Sequence, residues 1–126
     1  MKSVITALVI FILIVVMIIS SYIYVHSVTK EMLQIVYKSE KDFSQSKWKE
    51  ALAETEKLSE IWKNNKFVMA ILYSHQLTDA VDESVEKLKN SAEIKENKEF
   101  LYEKSNLILL IFRLREQQKI TIENVM

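Results

Sequence analysis

The chain has 126 residues with 17 basic and 17 acidic side chains, and contains no glycine, proline or cysteine. The missing residue types exclude glycine-dependent phosphate cradles, tight primed hairpin turns, disulfides, thiolate catalysis and cysteine-ligated zinc. The charge balance leaves no concentrated basic face for nucleic acid, so no nucleic-acid partner is expected.

The first element is an uncharged stretch, Val4 to Val25, preceded by Met1, Lys2 and Ser3. At 1.5 Å per residue it covers about 33 Å, against roughly 30 Å of bilayer hydrocarbon. It is longer than the apolar core of a cleaved secretory signal and lacks a small-residue cleavage site. The expectation is a retained anchor, residues 1–27, contacting membrane lipid through 4–25. Tyr22 and Tyr24 suit an interfacial aromatic belt. A short basic start followed at once by an apolar run predicts an exported tail, although Lys30, Lys38 and Lys41 after the stretch lean the other way.

Residues 28–126 read as a helical bundle domain. Val28, Met32, Ile35, Val36, Ser39 and Phe43 recur at three-and-four spacing, which predicts that the membrane helix runs on without a break over 28–42. Ser46 is then a natural N-cap. A second helix is predicted over 46–64, with Trp48, Ala51, Leu52, Thr55, Leu58 and Trp62 on one face and Asn64 and Asn65 ending it. A third over 66–95 carries Phe67, Ala70, Ile71, Ser74, Leu77, Val81, Val85, Leu88 and Ala92.

A fourth helix, capped by Asn97, is predicted over 98–116, with Leu101, Ser105, Ile108, Ile111 and Phe112 as its core stripe. Residues 107–112 are apolar all round, which fits either the most enclosed part of the bundle or a partner-binding surface. Thr121 is expected to cap a short terminal turn at 121–125. Core aromatics are expected to be Trp48, Trp62, Phe67, Tyr73, Phe100 and Phe112. Short connectors between long amphipathic helices make neighbours antiparallel. The fold class is therefore all-α, an N-terminal transmembrane helix continuing into an antiparallel up-down helical bundle.

Little chemistry is written in this pattern. His26 and His75 are the only side chains that titrate near neutral pH. His75 has Asp79 one turn later, so this pair is the one weak candidate for a ligand or metal site. A metal would need further ligands from other helices. No nucleophile, base and orienter assemble from the sequence, so no catalytic residue, cofactor or enzymatic activity is expected.

The order of signals resembles the bacterial domain of unknown function 4363 family over essentially the whole chain. The likeness is carried by the basic start and apolar stretch, Trp48 to Leu52 (WKEAL), Trp62, Ser74-His75-Gln76, the apolar run Leu107 to Leu114, and Ile120 to Val125. Where relatives often have Asp-His followed by an acidic residue, this chain has Ser74-His75-Gln76. The resemblance implies a small membrane-anchored helical protein and brings no activity with it. The functional expectation is a single-pass, non-enzymatic interaction or scaffold module of the cell envelope with a protein partner. The alternative is an extracytoplasmic ligand or metal sensor signalling through a partner.

Overall fold

A computed structural model describes residues 1–125, and every regular element among them is a helix: α1 (Lys2–Ser44), α2 (Trp48–Leu72), α3 (His75–Glu93) and α4 (Asn97–Val125). The helices pack in a ring, α1 on α2, α2 on α3, α3 on α4 and α4 back on α1. Connectors of two or three residues force each neighbour to run antiparallel, giving the expected up-down bundle.

The first helix bears out the predicted continuity. Val28, Met32, Ile35, Val36, Ser39 and Phe43, the stripe read from the sequence, are all buried, together with Val25, Thr29 and Leu33 beside them. The same helix carries, below Val25, a stretch apolar and long enough to cross a membrane, and none of that stretch is buried by the bundle. Full burial of α1 begins at Val25, the last residue of the uncharged run, while Val15, Ile18, Ser21 and Tyr24 below it are half-buried.

Two of the three connectors take a left-handed turn although the chain has no glycine. After α1, the Lys47 N–H reaches the Asp42 carbonyl at 2.8 Å and the Ser46 N–H reaches the Phe43 carbonyl at 3.1 Å. After α3, Glu96 and Lys95 bond Ser91 and Ala92 in the same way, at 3.0 and 3.3 Å. Both are Schellman motifs, which require a left-handed residue just past the helix end. Ser46, with φ of 60°, and Lys95, with φ of 58°, take that conformation in place of glycine. Ser46 thus ends α1 instead of capping α2, whose N-cap is Lys47 with no side-chain cap bond. Asn97 is likewise the first residue within α4 and not its cap.

The predicted break at Asn64 and Asn65 does not occur, because asparagine costs an interior helical position only a fraction of a kcal/mol. Asn65 donates to the Ile61 carbonyl one turn back and accepts from the Tyr24 hydroxyl of α1. α2 ends instead at Leu72. Tyr73 is extended, and the Ser74 hydroxyl caps α3 by accepting from the Leu77 N–H at 3.3 Å.

This shift of the break changes which side chains form the core. An uninterrupted α2 places Phe67 about 140° around the helix from Trp62, whereas Met69, seven residues on, returns to the Trp62 face. Trp62 and Met69 are accordingly fully buried, while Phe67 is 78% exposed and Ile71 70% exposed. The terminal turn at 121–125 is also absent as a separate element. With no residue to interrupt it, α4 continues to Val125, and the Thr121 hydroxyl donates to the Gln117 carbonyl within the helix.

The end of the bundle far from the apolar stretch is closed by aromatics. Phe43 stacks on Phe100 with ring centroids 4.0 Å apart and meets Trp48 edge-on at 4.9 Å. Near the other end, the Tyr73 hydroxyl donates to the Leu114 carbonyl at 2.6 Å, tying the turn between α2 and α3 to α4.

Candidate interaction surface

The polar candidates are spread apart. His75 and Asp79 both lie on the first turns of α3, exposed, and neither side chain makes a hydrogen bond or ion pair among the described residues. No group of three His, Cys, Asp or Glu side chains gathers there or elsewhere among the described residues. His26 lies on α1 just above the apolar stretch, its ring stacked at 6.1 Å on Tyr22. Its carbonyl accepts from Arg115 of α4, whose Nε also donates to Thr29 Oγ1 at 2.8 Å.

One carboxylate missed by the sequence reading is buried. Glu103 of α4 is shielded from solvent and accepts from Ser84 Oγ of α3 at 3.3 Å, while Asn106 donates to the same hydroxyl at 3.4 Å. The three side chains line one shallow recess between α3 and α4 together with Lys87 and Tyr102. They form a hydrogen-bonded link between two helices, and no histidine lines the recess among the described residues.

Besides the exposed apolar stretch of α1, a shorter unpartnered apolar feature lies on α4. The buried face of α4 is Phe100, Leu107, Leu110, Ile111 and Leu114, so the stripe predicted from sequence is displaced in phase and shares only Ile111 with it. The helix is apolar on two sides, and sequence periodicity selected the wrong one. Its outward side carries Leu101 at 42% exposure, Leu109 at 53% and Phe112 at 49%, with Ile108 half-buried between them. Leu101, Ile108 and Phe112 fall within about 40° of one another around the helix over about three turns, with the exposed Ser105 between the first two and Leu109 about 80° to one side. Contiguous exposed apolar surface of this kind marks a contact site more often than scattered single residues do. Ion pairs join Lys38 with Glu54, Lys63 with Glu86, Lys66 with Asp82 and Lys87 with Glu83 on the other helices, and Lys104 of α4 with Glu40 of α1 beside the stripe.

Fold and surface together define a four-helix bundle whose first helix extends beyond the domain as an exposed apolar rod, and whose last helix shows a second apolar face to solvent. The model of one family, described as a domain of unknown function (DUF4363), matches residues 19–125, and the chain belongs to that family. The matched region takes in the upper part of the apolar stretch together with the whole bundle. Comparison with curated proteins and with solved structures finds no match.

Proposed function

We propose that this protein is a single-pass, membrane-anchored interaction module of the bacterial cell envelope, in which the bundle stands on the outer side of the membrane. On this reading the outward stripe of α4 receives the apolar face of a helix from a partner protein. The supporting observation is the exposed Leu101, Leu109 and Phe112, with the half-buried Ile108 between them, on the part of α4 that lies above the apolar stretch of α1. A helix laid against such a row is recognised by anchors at i, i+3, i+4 and i+7. The alternative, a metal or small-ligand sensor centred on His75 and Asp79, draws less support, since these side chains point to solvent without joining any third ligand group.

The test uses tagged full-length protein extracted from membranes, compared with the variant Leu109→Glu/Phe112→Glu. Both positions are half-exposed, so the variant keeps its fold, and circular dichroism checks this. A protein recovered with the natural chain and lost with the folded variant supports the proposal. Equal recovery by both, or no recovery above background, contradicts it. Orientation is tested separately by Glu60→Cys, the sole thiol in the chain, and a membrane-impermeant maleimide on intact cells. Labelling is expected, and protection contradicts an exported bundle.

A further inference from the structure

The bundle descends beside the upper part of the apolar stretch. Tyr24 is bonded to Asn65, and Lys38 pairs with Glu54, which fixes the antiparallel register of α1 and α2. This register sets Phe67 about level with Tyr22, Val68 with Ser21 and Ile71 with Ile18. A shallow recess between helices agrees with this alignment, since it is lined by Met17, Ile18 and Ser21 of α1, Ile71 and Leu72 of α2, and Gln118 and Thr121 of α4.

The vertical dimensions then conflict with a bundle held clear of the bilayer. The uncharged run, residues 4–25, matches the roughly 30 Å of hydrocarbon, but residues 17–25 lie against the foot of the bundle. Residues 4–14 are exposed throughout, and they cover about 17 Å. About 13 Å of apolar slab therefore falls at the level of the last turns of α2 and α4. The last turns of α2 expose large apolar side chains to their surroundings: Phe67, Val68 and Ile71 all point away from the buried Trp62–Met69 face.

We infer that Phe67, Val68 and Ile71 form a second membrane contact, a wedge on the outward face of α2 that sits in the headgroup and upper acyl layer of the lipid bilayer. The inference rests on the anchoring proposed above, and the occupant is lipid because the wedge is continuous in height with a helix surface already suited to hydrocarbon. Lys63 and Lys66, beside it, reach Glu86 and Asp82 on α3 and keep their ammonium groups on the upper side. The polar start of α3, with exposed His75, Gln76 and Asp79, and the end of α4, with exposed Lys119 and Glu123, lie at a similar level on other sides of the bundle. A lean of the molecule towards its α1–α2 edge lowers the wedge and lifts those groups into water, and transmembrane helices tilt by about 20° on average.

The chain has no cysteine, so single nitroxide labels report depth directly on full-length protein in phosphatidylcholine and phosphatidylglycerol vesicles. Labels are placed at Phe67, Ile71, Gln76, Glu60 and Ile12, and collision with oxygen is compared with collision with a water-soluble nickel chelate. The wedge predicts nickel accessibility at Phe67 and Ile71 several-fold below that at Glu60 and Gln76, together with high oxygen accessibility as at Ile12. Nickel access at Phe67 and Ile71 equal to that at Glu60, with Ile12 protected, overturns the wedge and leaves the anchor standing. Loss of both collision partners at Phe67 and Ile71 indicates a second copy packed on the face and also overturns it. Nickel access at Ile12 removes the anchor and the wedge together.

Discussion

The Tyr24 hydroxyl, at the upper end of the apolar stretch, donates to Asn65 Oδ1 on α2, and Asn65 in turn donates to the Ile61 carbonyl. This small chain of bonds joins the apolar stretch of α1 to the half-buried Asn65 of its neighbour. A partly buried bond of this kind contributes about 1 kcal/mol. In a double-mutant cycle of Tyr24→Phe and Asn65→Ala, followed by urea unfolding in detergent micelles, the coupling is expected near that value. Strict additivity of the two changes would show that the bond contributes nothing.

Trp62 and Phe67 are expected to respond very differently to truncation. Trp62 is fully buried, so Trp62→Ala removes its packing and leaves a cavity, at a cost of about 3–5 kcal/mol. Phe67→Ala in detergent is expected to change stability by less than about 0.5 kcal/mol, as for other exposed positions. Thermal melts of the two variants check this. Similar losses for both would place Phe67 in the core and restore the break at Asn64 and Asn65.

The two left-handed residues are sites of recoverable strain. Ser46→Gly and Lys95→Gly each relieve a positive φ that an L-residue adopts at a cost of 1 kcal/mol or more, partly offset by the greater freedom of glycine in the unfolded chain. A gain of about 0.5–1 kcal/mol per site is expected in denaturant unfolding. Ala in place of Gly at the same positions serves as the control and should give no gain.

Alkaline pH should weaken the bundle through Tyr73. Burial pushes its phenol up to about 12 from the usual 10, with a smaller opposing effect from a hydrogen bond with Gln118. The folded state thus holds the proton more tightly than the unfolded state. The stabilisation is fully present below pH 10 and is lost as pH rises towards 12. The urea midpoint of the natural protein is expected to fall over that window, and Tyr73→Phe to fall less steeply. Parallel curves for the two proteins would remove Tyr73 as a cause.

The helical class, the continuity of α1 and the faces of α1 and most of α3 were legible because each shows a single apolar stripe with charged residues opposite. Legibility failed where a helix has two apolar sides or where a connector hides in helix-compatible residues. Residues 107–112 offer no polar side to choose against, so Leu109 and Phe112 could be placed correctly only by knowing how α3 and α1 meet α4. The real turn at Tyr73–Ser74 uses one hydroxyl cap, a weaker signal than the Asn64–Asn65 pair, and moving the break there rotated Phe67 out of the core. The exposed stripe on α4 was named from sequence only as one of two readings of that run. The wedge on α2 was not visible at all, because it depends on the level at which two antiparallel helices meet.

The central claim is that apolar stretch and bundle wall are one uninterrupted helix. It is tested most directly by a pulsed electron-electron distance between nitroxides at Ala7→Cys and Tyr37→Cys, both exposed positions on α1, in full-length protein reconstituted in vesicles. A continuous helix predicts one narrow distribution centred near 45 Å, thirty residues at 1.5 Å each. A broad distribution, or one centred at a markedly shorter distance, would mean that the chain bends between membrane and bundle and would contradict the account.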